Sequence, residues 1–272
     1  MSLIPEIREG QSIELLKALH ILTRDGKINQ DTRRKLKQVY HLFQFIEPLM
    51  KDIFDHQDTL NLVDHGAGKS YLGFILYDLF LKNFPQAHVY GIETRHDLIV
   101  NAQSLAKKIG FEQGMSFLEM NTADSFHHPS LPEKVDIVTA LHACNTATDD
   151  ALKFALIHQA KYVVLVPCCQ AEVAAVFRKL KGHTLGKTPL SEIWRHPLHS
   201  REFGSHLTNV LRCLQLEAHG YQVTVTELVG WEHSMKNELI IAKSKHSARQ
   251  RQLAILQEMN LDCLKERFAY DL

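Results

Sequence analysis

Leu62-Val63-Asp64-His65-Gly66-Ala67-Gly68-Lys69-Ser70-Tyr71-Leu72 reads as a short apolar strand, a tight glycine turn and the start of a helix. Gly66 and Gly68 permit positive φ and let the backbone approach a ligand closely. The helix that follows offers free amides and the positive end of its dipole. Asp64 places a carboxylate at the carboxyl end of the strand, where open α/β sheets bind ligands.

Three nucleotide-type readings compete for this turn. Gly68-Lys69-Ser70 imitates the end of a phosphate-binding P-loop, but that pattern needs a glycine five residues before Gly68, where Val63 stands. A dinucleotide turn, GxGxxG, needs a third glycine where this chain has Tyr71, whose bulk obstructs close packing of helix on sheet. S-adenosylmethionine (SAM) has no pyrophosphate to wrap, so its turn needs an acid before GxG and tolerates variation afterwards. Asp64-His65-Gly66-Ala67-Gly68 meets that requirement. Glu93, ending the next strand-like run, is placed to accept both ribose hydroxyl protons, and Asp124 to accept from the adenine amine. With Ala67, Tyr71 and Leu141, these residues make the expected cofactor site.

Around the turn, short apolar runs alternate with helical patterns, as in a parallel sheet with crossover helices. Strands are expected at 60–64, 88–93, 116–120, 135–141 and 161–166, and a final pair at 221–229 and 238–243. The last two are too close in sequence for a helical crossover, so they pair antiparallel. The expected class is therefore α/β, a Rossmann-like class I methyltransferase sheet of five parallel strands plus a terminal β-hairpin. Residues 1–57 form a helical N-terminal extension, 58–246 the SAM-dependent domain, and 247–272 a C-terminal helix docked through Leu253, Leu256, Leu264 and Phe268. In the extension, Ile13, Leu16 and Leu19, then Leu36, Val39, Tyr40, Phe43 and Ile46, recur at helical spacing, with Asp31 as a candidate cap. Arg24, Lys27, Arg33, Arg34, Lys35 and Lys37 make a basic stretch there, read either as a solvated face or as substrate surface.

The 272 residues suffice for one large domain with an appendage, and 45% hydrophobic content supports a core. Lys plus Arg equal Asp plus Glu at 31 each, so any nucleic-acid surface is local. The 17 His are scattered without metal-ligand spacing and read mostly as surface residues. The 5 Cys and the lack of a signal-peptide start predict reduced thiols in the cytoplasm. No apolar run approaches the roughly 20 residues that cross a bilayer.

Four segments carry a resemblance: Gly68-Lys69-Ser70-Tyr71-Leu72, Leu141-His142-Ala143-Cys144-Asn145-Thr146-Ala147-Thr148-Asp149, Pro167-Cys168-Cys169-Gln170 and Glu232-His233-Ser234-Met235-Lys236-Asn237. Over residues 36–243 the chain resembles a family of bacterial SAM-dependent methyltransferases with GKSYL, LHACxTATD, PCCQ and EHxxKN motifs. It departs from that pattern at Asn145, where Asp is common, and at Ala171, where His is common. The His-x-Cys segment and paired cysteines are more loosely similar to methyltransferases of a tRNA acceptor-stem 2'-hydroxyl. That similarity implies structured RNA, rRNA or tRNA, as the acceptor and partner. A small molecule or a protein is the alternative acceptor, and a non-catalytic SAM-binding regulator the alternative of another class.

Methyl transfer from a sulfonium is an in-line displacement that rests mainly on alignment. His142 and Cys144, at the end of the fourth strand, face the expected methyl position, His142 as base or orienter. Cys168 precedes a helix predicted over 170–181, whose amino end favours a thiolate, so a covalent role and simple packing both stay open. Glu232 and His233 lie in the loop between the last strands and complete the catalytic candidates. A zinc site from His142, Cys144, Cys168 and Cys169 is disfavoured because adjacent cysteines strain tetrahedral chelation, and no metal is expected. The stretch Trp194 to Arg201 reads as an aromatic and basic loop suited to stacking on unpaired bases, or as an ordinary loop.

Overall fold

The computed structural model describes residues 7–141, 143, 145–167, 170–179, 189–228, 238–245 and 251–270. Strands β1 (Leu60–His65), β2 (Ala87–Glu93), β3 (Met115–Glu119), β4 (Ile137–Leu141), β5 (Tyr162–Val166), β6 (Tyr221–Glu227) and β7 (Glu238–Ser244) form one sheet. Their order is β3-β2-β1-β4-β5-β7-β6. The first five run parallel, and β7 lies antiparallel between β5 and β6. Every strand expected from the sequence is present, and β4 begins at Ile137 where the apolar run suggested 135.

Side chains alternate across each strand, and the two faces carry different helices. Leu62, Val89 and Val164 join one core with residues of α1 (Ile13–Ala18), α2 (Gln30–Phe54), α3 (Tyr71–Leu79) and α4 (His96–Ile109). Val63, Val138 and Leu165 join the opposite core with α5 (Thr146–Ile157) and Leu216 of α7 (Pro197–Ala218). A third cluster joins α6 (Glu172–Lys179) and α7 to α8 (Gln252–Glu258) and α9 (Lys265–Phe268). No helix among the described residues is long and apolar enough to cross a membrane.

The amino-terminal helices dock onto the sheet's core instead of standing apart. Ser12 caps α1 by accepting from the Leu15 amide, and its own amide donates to the buried Asp78 carboxylate of α3 at 2.9 Å. Lys82 donates both to Asp78 and to the Gly10 carbonyl, each at 2.9 Å. In α1 the buried residues are Leu15, Leu16 and the adjoining Leu19, while Ile13 is exposed. Helix α2 starts from Asn29, whose side chain accepts from the Thr32 amide while Thr32 accepts from the Asn29 amide. The cap is thus Asn29 and not Asp31, which lies inside the helix; the reciprocal pair satisfies two free donors where Asp31 alone would satisfy one.

At the other end, the single C-terminal helix expected from 247 is instead α8, a short 3-10 turn and α9. Leu256, Leu264 and Phe268 are buried, but Leu253 is exposed because α8 buries the face that carries Gln252 and Leu256, one turn apart, and Leu253 lies off it.

Because Asp78 ties the start of α1 to α3, and only the Tyr71 hydroxyl on the Leu19 carbonyl also joins these helices among the described residues, Asp78→Ala is expected to lower stability by about 1–3 kcal/mol, read as a lower urea midpoint. An unchanged midpoint would show that the Asp78 carboxylate does not hold α1.

Candidate functional site

Strand β1 lies between β2 and β4, at the point where strand order reverses, so its carboxyl end opens on the crevice of the sheet. Asp64 sits there with 3% exposure, and its Oδ1 accepts from the Thr139 hydroxyl of β4 at 2.6 Å. Burial pushes the Asp64 carboxyl up to about 7, against the lowering effect of that hydroxyl. His65 is fully buried, edge-on to Phe154 at 4.7 Å. Burial, with nearby His158, drops its imidazole to about 3, so it is a neutral core residue and not one of the surface histidines.

The glycine turn has the expected backbone, with φ of 65° at Gly66 and 59° at Gly68. A Cβ on Gly66 would stand 3.4 Å from that of Ala143, so the turn lies directly against the segment after β4. Ala67 donates to the Ile92 carbonyl at 2.9 Å, and the Gly68 amide donates to Glu93 Oε2 at 2.8 Å. The other oxygen, Oε1, accepts from the Thr94 amide at 3.0 Å and from Arg95 Nε at 3.1 Å. Burial works against ionisation of Glu93, but donors from Arg95 and Gly68 outweigh it and hold the carboxyl below its usual range. The Arg95 side chain is 63% exposed, so it can leave the carboxylate at little packing cost.

The structure brings Asp64, Gly66, Ala67, Gly68, Glu93 and Leu141 to the carboxyl edges of β1, β2 and β4. Asp124 is exposed in a 3-10 turn after β3, where Asn121 donates to its carboxylate and accepts from its amide. Tyr71 opens α3, and its hydroxyl donates to the Leu19 carbonyl at 2.7 Å, tying the turn to the end of α1. The close approach of helix to sheet occurs instead at Gly73, where a Cβ would meet Val89 at 3.2 Å. His142, Cys144, Cys168, Cys169, Glu232 and His233 lie outside the described residues.

Trp194 does not belong to an exposed stacking loop. It is 2% exposed and stacked on Phe177, centroids 4.8 Å apart, within the α6–α7 cluster. Pro197 then starts α7, which fits a residue whose missing amide costs nothing at a helix start.

A model of the family described as "Methyltransferase domain" matches residues 34–176, more than half of the chain. The chain belongs to this methyltransferase family. No curated protein sequence matches it significantly. Among solved structures it is similar to an SAH-bound methyltransferase, PaMTH1, of Podospora anserina, at 12% identity over 88% of this chain and 89% of that one, TM-score 0.49. It is similar also to magnesium protoporphyrin IX methyltransferase of Synechocystis PCC 6803, at 12% identity over 88% and 100%, TM-score 0.44. A third is the fibrillarin pre-rRNA processing protein of Methanococcus jannaschii, at 12% identity over 70% and 68%, TM-score 0.42.

Sequence reasoning missed three groups that hold the candidate residues and their flanks. Thr139 is the hydroxyl on Asp64, and Arg95 the cation on Glu93. The third is Arg212 of α7, 1% exposed, which donates to both oxygens of Asp149 and to the Asn145 carbonyl after β4. Arg95, two residues after Glu93, was accessible to inspection; Arg212 had no local signal.

The raised carboxyl at Asp64 has a signed consequence for stability. Between the unfolded pKa near 3.8 and the folded value of about 7, the native state holds a proton that the unfolded chain has released. This group's favourable contribution is therefore full at low pH, is lost as pH rises through that window, and changes no further above it. Asp64→Asn keeps an acceptor for Thr139 and removes the buried charge. It is expected to stabilise the free protein by on the order of 2–4 kcal/mol at pH 8 and by almost nothing at pH 4. Equal effects at both pH values in thermal melts would contradict a buried, raised carboxyl.

Proposed function

We propose that the chain is a SAM-dependent methyltransferase of the bacterial group marked by the four motifs, transferring methyl to structured RNA by direct displacement. One observation carries the cofactor half: a buried carboxylate, a positive-φ glycine turn and the Glu93 carboxylate meet at the switch point of the sheet. These groups fit SAM. Asp64 gives a buried carboxyl that the amino acid ammonium would favour in its ionised form. Gly66 and Gly68 leave the backbone open to close contact. Glu93 accepts from the ribose hydroxyls once Arg95 turns outward, and Asp124 receives the adenine amine.

SAM supplies an electrophilic methyl on a sulfonium; the rest is alignment and proton handling. In this reading His142 takes the proton of an acceptor hydroxyl or orients an acceptor nitrogen, and Cys144 lines the same strand end. Glu232 and His233 contact the acceptor from the loop before β7. Cys168 is read as lining the site, its covalent use being the alternative.

Charge on one cleft favours RNA as acceptor. A cavity of about 320 Å³ lies between the end of α1, the glycine turn and α4, edged by His20, Lys69 and Asn101 over Leu98 and Ala102. Past Ala18 it adjoins a recess edged by Lys17 and Lys108, where the acid is Glu14, paired with Lys108 at 3.0 Å. A cleft with such an excess of cations beside the cofactor turn suits a phosphodiester backbone.

Incubation with methyl-labelled SAM and, separately, total RNA, protein extract and metabolites tests this reading. Label is expected in RNA, digesting to one modified nucleoside. Lys17→Glu with Lys108→Glu should weaken RNA binding about tenfold at low salt and flatten its salt dependence, without altering SAM affinity. Label in protein or metabolites would replace the RNA assignment, and no label in any fraction would overturn the enzymatic one.

A further inference from the structure

The segments assigned to acceptor chemistry leave or enter the sheet at separate strands: 142–145 after β4, 167–170 after β5 and 231–237 before β7. Their described flanks converge on two side chains of α7. Asn209 Oδ1 accepts from Gln170 Nε2 at 2.8 Å and from Arg212 Nη1 at 3.2 Å, while Asn209 Nδ2 donates to Glu238 Oε2 at 2.6 Å. Arg212 Nη2 donates to the Asn145 carbonyl at 3.0 Å, and Nε to Asp149 Oδ1 at 2.6 Å. Ser205 Oγ, one turn before Asn209, donates to Gln170 Oε1 at 2.7 Å.

The set has only one workable orientation. Turning the Asn209 amide over would put its oxygen against the Glu238 carboxylate and its NH2 against the guanidinium. Gln170, Asn209, Arg212 and Asp149 are all less than 10% exposed, so each lost partner would leave a buried polar group unpaired. Asn145 holds φ 51° and ψ −123°, a conformation that strains any residue but glycine, and its carbonyl is the one that Arg212 grips.

Anchoring of α7 does not by itself call for this set. Leu207, Leu211 and Leu216 are buried, and Gly204 lets α7 approach α6 so closely that a Cβ there would meet the Ala174 amide at 2.7 Å. Replacing a buried ion pair by apolar residues is often neutral or stabilising, so such a set is better explained by what it positions.

We infer that Asn209 and Arg212 are positioning residues for methyl transfer, locking the flanks of three acceptor-side segments to one another across the carboxyl edge of the sheet. The inference rests on the proposed assignment of the reacting groups to those segments. Neither residue touches the cofactor turn, so cofactor binding and acceptor alignment should separate.

Asn209→Ala, Arg212→Lys and Glu238→Gln in the full chain test this through amide hydrogen exchange, SAM calorimetry and turnover of labelled SAM with total RNA. Asn209→Ala is expected to speed exchange about tenfold at 145–148, 170–173 and 238–240 together. It should lower kcat about tenfold to a hundredfold while SAM affinity stays unchanged. Glu238→Gln keeps an acceptor for Asn209 but loses the carboxylate, and should show the same changes as Asn209→Ala at smaller size. If Asn209→Ala fails to fold, Arg212→Lys, which keeps the charge but loses the fork, carries the same expectation. Faster exchange at one segment only, or a kcat loss matched by loss of SAM affinity, would overturn the proposal. If the parent labels no RNA, the acceptor reading fails instead, and the exchange data alone decide whether the segments are coupled.

Discussion

A carboxyl group sealed at the end of the central strand, on the Thr139 hydroxyl, is the constraint around which this methyltransferase is built. Burying such a group is costly without a full set of partners. Asp64 has the Thr139 hydroxyl, and burial moves its carboxyl toward neutrality. The position is tolerable because β1 is flanked on both sides, so backbone pairing with β2 and β4 keeps the strand in place regardless of the charge. A buried carboxyl whose ionisation a positive charge would favour, next to a turn with positive φ at Gly66 and Gly68, is complementary to a cationic ligand laid across backbone. The remaining geometry at this edge follows, since Glu93 reaches back from β2 to the Gly68 amide.

The side assigned by proposal to the acceptor is built on different physics. Around Asp64 the geometry is set by main chain, with glycine conformations, strand register and a helix start. Across β4, β5 and β7 it is set by side chains of α7 that fill one another's hydrogen-bonding capacity. The first device tolerates little change of residue size. The second tolerates little change of donor and acceptor type. Helix α9 adds to it, because Arg267 reaches both Asp150 of α5 and Glu172 of α6, the helices that follow β4 and β5.

Features written in local pattern were legible in the sequence. Period-two and continuous apolar runs located the strands, and the short span between the last two implied the antiparallel β7. The placement of Asp64, the glycine turn and Glu93 at strand ends was legible from the apolar runs that precede them. Readings that depended on tertiary surroundings went astray. Trp194 looked like a stacking surface beside basic residues, but Phe177 and Phe203 enclose it. Tyr71 was weighed as an obstruction to helix packing, whereas that contact belongs to Gly73 and Tyr71 reaches α1. Asp31 lost the cap to Asn29 because Thr32 completes a reciprocal pair. Arg212 lies 63 residues from Asp149, and Asn209 lies 39 from Gln170, so no local pattern marks either contact.

The central claim is that the turn after Asp64, together with Glu93, receives SAM. A crystal structure with S-adenosylhomocysteine tests it most directly. The account predicts ribose hydroxyls on the Glu93 carboxylate, the Arg95 side chain displaced from it, and the amino acid ammonium on the side of Asp64. An adenosyl group bound elsewhere, or one bound at this edge with the Arg95–Glu93 pair intact and no contact to Glu93, would contradict it.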